Sequence, residues 1–144
     1  MSALYDSDPY TWAMRQADAL RRRSANEIDW ENVAEEIESV GNSEARELCS
    51  RYAILLAHLL KWLYQPEKRS VSWEVTIKGQ RKQSARHLER NPGLRPRQDE
   101  VFADAYLEAQ TNAALETGLP LEAFPETNPF TLAQATDPDF WPDA

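Results

Sequence analysis

Cysteine occurs once in the chain, at Cys49, so no intramolecular disulfide can form and a reducing compartment is the natural home of the protein. Glycine is also scarce, with four residues in 144, and alternation of apolar and polar residues at strand spacing is nearly absent. Both absences argue against a β fold. The longest stretch without a formal charge in the most apolar segment, Tyr52 to Leu60, is too short to span a bilayer, and MSALYDSDPY lacks a charged-then-apolar leader pattern. These features point to a cytoplasmic protein with no membrane partner.

Catalytic and metal-binding patterns are equally sparse. There is no HExxH, no cysteine pair, no P-loop and no Gly-x-Ser-x-Gly elbow. Helical carboxylate sites place Glu three residues before His on each of two helices, but here Leu55 precedes His58 and Ser84 precedes His87 at that spacing. A set of His58, His87 and Glu36 is the nearest approach to a ligand group. The expectation is therefore no metal, no cofactor and no assignable catalytic residue, and whether the chain is an enzyme stays open.

What is present is helical patterning. The expected fold class is all-α, a compact bundle of about five helices around a central long helix with a proline-rich, irregular C-terminal tail. Residues 1–144 are expected to form one domain, with 119–144 as a tail docked on it. Asp8 and Pro9 give an N-cap and first helical position for a helix to about Arg23, with Tyr10, Ala13, Ala17 and Leu20 on its apolar face. Asp29 caps a second helix whose stripe is Trp30, Val33, Ala34, Ile37 and Val40, and Gly41 suits a C′ stop. Ser43 to Tyr64 reads as the central helix, packing through Leu48, Cys49, Tyr52, Leu56, Leu59, Leu60 and Leu63. A fourth helix runs from Ser70 or Ser72 to about Arg90, and a fifth follows Arg97 to Thr117, where Gly118 and Pro120 stop it. In the tail, Leu121 to Phe124 and Thr131 to Ala135 read as short turns. Phe124, Phe130, Phe140 and Trp141 argue that this tail is docked.

Charge is segregated along the chain. Residues 1–42 carry nine acidic and four basic groups (−5), residues 43–98 five acidic and twelve basic (+7), and residues 99–144 ten acidic and none basic (−10). A basic middle between acidic ends is self-complementary and leaves no net field for a polyanion, so nucleic acid is an unlikely partner. The candidate basic surface is Lys78, Lys82, Arg86 and Arg90 on the far side of the fourth helix.

Opposite its apolar face, the central helix carries Glu47, Arg51, His58, Lys61 and Gln65 as a polar stripe interrupted by Ile54. Glu36 borders the apolar stripe of the second helix, and Arg81 shares the packing side of the fourth. Glu36, Glu47, Arg51, His58, Lys61 and Arg81 thus form a candidate semi-buried polar groove, because a carboxylate at a core boundary requires a cation.

Several segments together resemble one bacterial family. They are Tyr5 to Trp12 (YDSDPYTW), Val33 to Gly41 (VAEEIESVG), His58 to Pro66 (HLLKWLYQP) with Ser72-Trp73 and Thr76-Ile77, Glu116 to Pro120 (ETGLP), and Asp139 to Pro142 (DFWP). The combination is similar to the family called domain of unknown function twenty-nine, and it covers nearly the whole chain. Pro9 stands where that family usually has an aromatic, and Asn128 where a cysteine is common. The resemblance implies a compact, all-helical cytoplasmic domain and no established activity. The leading functional expectation is a module that binds another protein. The alternatives are an enzyme or small-ligand binder using the polar groove and, third, nucleic-acid binding through the basic fourth helix. Oligomeric state and partner identity are not legible.

Overall fold

The computed structural model describes residues 2–142 and is all-α, with no strand among the described residues. Six helices follow one another: α1 (Ser2–Ser7), α2 (Pro9–Arg21), α3 (Trp30–Tyr64), α4 (Val71–Arg90), α5 (Gln98–Thr117) and α6 (Leu132–Thr136). Short 3-10 turns lie at Ala25–Glu27, Pro66–Lys68, Pro92–Arg97 and Leu121–Ala123. Among the described residues, no helix is long and apolar enough to cross a membrane.

Local chemistry sets most boundaries. The Asp8 carboxylate accepts from the Thr11 N–H at 3.0 Å, and Pro9 occupies the first position of α2. The Ser70 hydroxyl accepts from the Trp73 N–H and starts α4. Gly118 ends α5 at φ 75°, in the left-handed region. Thr131 and Gln134 form a reciprocal capping box that starts α6. The six-residue α1 is too short to leave a periodic signal in sequence.

One boundary expected from sequence does not exist. Gly41 does not stop a second helix and Ser43 does not cap a third, since α3 runs unbroken through both as a 35-residue helix. Gly118 is the one described glycine with positive φ, so Gly41 keeps helical geometry. It is exposed, and a Cβ built on it meets nothing within 4 Å. Gly41→Ala is therefore expected to stabilise the protein by about 0.5–1 kcal/mol, read as a higher denaturation midpoint. A loss of stability would show that Gly41 adopts the left-handed geometry of a helix stop.

The chain forms two compact units, one from the N-terminus through Ser43 and one from Glu44 onward, with the division inside α3. The N-terminal unit has a small core. Trp12, Ala19 and Ile28 are its buried apolar residues, and the Trp12 indole N–H donates to the buried Asp29 carboxylate at 3.1 Å. The expected apolar face of α2 is not the buried one, because Tyr10, Ala13 and Leu20 are exposed.

The second unit holds the main core. Leu48, Tyr52, Leu55, Leu56, Leu59 and Leu60 of α3 are fully buried against Ile77, Leu88, Phe102, Tyr106 and other side chains of α4 and α5. The tail packs on this core. Phe124 and Phe130 are buried, Tyr64 meets Phe124 edge-on at 5.5 Å, and Trp62 meets Trp141 at 4.7 Å. The Tyr106 hydroxyl donates to the Pro125 carbonyl, and burial pushes its phenol up to about 12.

Candidate functional site

In the N-terminal unit, the first three turns of α3 carry an apolar stripe that the structure leaves bare. Trp30 is 60% exposed, Ile37 67% and Val40 64%, and Ala34 between them is also exposed. Sequence periodicity placed these residues in a core, but periodicity defines a face and not its occupant. On the helical wheel Glu36 borders the stripe on one side, and Glu31 and Glu38 border it on the other. No basic residue occurs between Arg23 and Arg46.

Glu36 is the groove residue that lies in this unit. It is exposed, and its carboxylate accepts from the Tyr5 hydroxyl at 2.5 Å, which pushes that phenol up to about 12. It therefore meets a phenol from α1 where a buried cation was expected. Nearby, Arg22 reaches both Asp18 and Glu27, and it joins the Ser24 hydroxyl in holding the Glu27 carboxyl down to about 2. Arg21, which ends α2, and Arg22 and Arg23 just beyond it are exposed.

In the second unit the other proposed groove residues are distributed among separate partners. Glu47 and Arg51 face one another along α3 at 3.8 Å. The Nδ1 of His58 donates to the Ile54 carbonyl at 2.9 Å, since a carbonyl only accepts, and burial lowers this imidazole below its ordinary range. Lys61 is 5% exposed, with Nζ 2.8 Å from Glu116 Oε1 of α5 and 5.0 Å over the Trp73 ring. The apolar interruption in the stripe is explained by this burial, with Leu55 fully buried and Ile54 half-buried. Lys78, Lys82, Arg86 and Arg90 are all exposed along α4, and Lys78 pairs with Glu74 at 2.9 Å.

His87 comes together with Glu44 and Glu47 and not with His58 and Glu36. Its Nε2 donates to the Glu44 carbonyl at 2.7 Å, and Nδ1 lies 3.2 Å from Glu47 Oε2. One potential ligand atom from each of these three side chains lies within 4.8 Å of the others, the sole such group among the described residues. Arg51 lies against the same Glu47 oxygen, and Asn91 Nδ2 lies 3.4 Å from Glu44 Oε2. The His87 Nε2 bond to the Glu44 carbonyl and the Nδ1 contact with Glu47 tie α4 to α3. The sequence trace of this cluster is the Glu44/Glu47 pair at i, i+3, which equally suits the acidic first turn of a helix.

Arg81 is the most unusual group in the molecule. It is 5% exposed, yet among the described residues it pairs with no carboxylate. Its Nε donates to the Ala135 carbonyl and its Nη2 to the Phe140 carbonyl, both at 2.7 Å, and the guanidinium lies 5.5 Å from the Trp141 ring centroid. Nη1 is buried with no hydrogen-bond partner among the described residues. Burial pulls the group below its ordinary value, and the charge of Asp137 partly opposes that. Beside it is a cavity of about 350 Å³, lined in part by Tyr52, Ser84, Leu88, Arg95 and Gln98. Sequence reading did not anticipate this cavity, since its walls come from distant parts of the chain.

No curated protein and no solved structure matches the chain. Residues 4–141 match the model of the family described as Domain of unknown function DUF29. That match spans nearly the entire length and takes in all but the last residue of the segments from Tyr5 to Pro142 that carry the resemblance, and the chain belongs to this family.

Proposed function

We propose that the protein is an interaction module whose N-terminal unit receives a basic, amphipathic helix of another protein along the exposed stripe of α3. The observation that carries this reading is the row Trp30, Ile37 and Val40, each at least 60% exposed and flanked by Glu31, Glu36 and Glu38. A helix laid along such a row buries apolar residues at i, i+3, i+4, i+7 spacing, and its flanking residues meet the acidic rims. The charge of the rims selects the occupant. A second copy of α3 would set glutamates against glutamates, with no basic residue in this segment to relieve them. Lysines or arginines beside the partner's apolar stripe would instead be attracted.

A synthetic helix of about 18 residues, with leucines at that spacing and lysines flanking them, is a direct probe. Calorimetric titration of the full chain is expected to show binding that weakens in about 0.5 M salt. Ile37→Glu with Val40→Glu preserves helix propensity at exposed positions and is expected to weaken binding by about tenfold or more. Equal affinity for a probe with glutamates replacing the lysines overturns the reading. So does a dimer, measured by light scattering, that the same two substitutions dissolve, because a second copy would then be the occupant.

A further inference from the structure

We propose that the cavity beside Arg81 is a binding site for a small organic monocarboxylate. This inference goes beyond the partner-helix reading and is independent of it, since the cavity belongs entirely to the second unit.

The first support is an unmet donor. A guanidinium has five N–H groups and stays charged at any physiological pH. Two carbonyls occupy Nε and Nη2 of Arg81, leaving Nη1 buried and unpartnered among the described residues. Buried polar groups in folded proteins are almost always hydrogen-bonded, so an orphaned cationic donor beside a cavity marks a place for an acceptor. Carbonyl partners carry no full negative charge and Asp137 offsets the burial of the guanidinium only in part, so an anion would supply further compensation.

The second support is a second donor on the same wall. The Tyr52 hydroxyl oxygen accepts from Gln98 Nε2 at 3.0 Å, which leaves its own proton free to donate. Burial raises that phenol, so the proton is retained at neutral pH. The Ser84 hydroxyl, by contrast, is engaged, donating to the Arg81 carbonyl at 3.2 Å.

Charge and shape narrow the class. Arg81 and Arg95 face one acidic wall residue, Glu89, so the lining carries a net charge of one positive unit that a monoanion neutralises. A donor from each of two residues lining the same cavity suits the two oxygens of a carboxylate, whereas a phosphate dianion brings three acceptor oxygens and a second charge. Ala85 and Leu88 give the wall an apolar part for a short hydrocarbon body. A volume of about 350 Å³ falls at the small end of ligand pockets.

Butyrate and inorganic phosphate are the probes, titrated separately into the full chain while amide and methyl resonances are followed by NMR. Saturable butyrate shifts centred on Ser84 to Leu88 are expected, with phosphate weaker. Arg81 also anchors the tail, so the diagnostic variants are Tyr52→Phe and Arg95→Gln, which leave that anchor intact. Tyr52→Phe is expected to weaken butyrate by about tenfold, and Arg95→Gln by a smaller factor. Absence of saturable butyrate binding overturns the proposal, as does butyrate affinity that neither variant changes. Tighter binding of phosphate overturns the carboxylate assignment.

Discussion

Arg81→Met is expected to lower unfolding free energy by about 3–5 kcal/mol, the largest effect of any polar substitution in the chain. Methionine fills most of the same length, so the loss is not chiefly one of packing volume. It comes from the carbonyls of Ala135 and Phe140, which each lose a charge-assisted hydrogen bond of 2.7 Å. The contact with the Trp141 ring goes with them. All three contacts lie in the final stretch of chain, so the tail should loosen before the core of α3, α4 and α5. Urea denaturation followed by circular dichroism measures the total cost, and limited proteolysis locates it, with early cleavage expected between Ala135 and Phe140. Arg81→Lys should recover less than half of the loss, because a single ammonium cannot reproduce a planar fork spanning two carbonyls. An unchanged midpoint for Arg81→Met would mean that the aromatic contacts of Trp62 and Phe130 hold the tail without it.

What the sequence revealed and what it concealed divide along a physical line. Signals that act over three or four residues were legible: the Asp8 and Ser70 caps, the Gly118 stop, and the apolar face of α3 from Leu48 to Leu60. Each depends on side chains acting on their own turn of backbone. Gly41 misled because glycine permits a left-handed stop without requiring one. At Gly118 a proline follows two residues later, whereas after Gly41 the helix-compatible run Glu44 to Arg51 continues. The stripe of Trp30, Ile37 and Val40 was legible as a face but not as an exposed one.

The polar groove shows a different limit. A helical wheel groups Arg51, His58 and Lys61 on one side of α3, but partner choice lies outside its reach. Lys61 finds Glu116, 55 residues away in sequence, and Arg81 finds backbone carbonyls. Every residue except proline supplies the same backbone donor and acceptor, so a carbonyl partner leaves no trace in residue identity. The cavity beside Arg81 has the same origin, since its walls run from Tyr52 to Thr136.

Glu116→Ala is expected to cost about 2–3 kcal/mol, whereas Lys61→Met at the other end of the same ion pair should change stability by no more than about 1 kcal/mol. The asymmetry follows from unequal burial. The Lys61 side chain is 6% exposed and the Glu116 side chain 48%, so only the ammonium lacks recourse to water. Removing the carboxylate leaves a buried cation whose remaining partner among the described residues is the Trp73 ring, 5.0 Å from Nζ. Removing the ammonium frees a carboxylate that is already half solvated, while methionine keeps the apolar stem of the lysine in the core. The double variant should therefore lie close to Lys61→Met alone, because once the cation is gone the carboxylate has little left to stabilise. Urea midpoints of the two single variants and the double test this order. If Lys61→Met is the costlier change, the ammonium's contact with Trp73 outweighs its contact with Glu116, and a Trp73→Leu variant should then reproduce most of that loss.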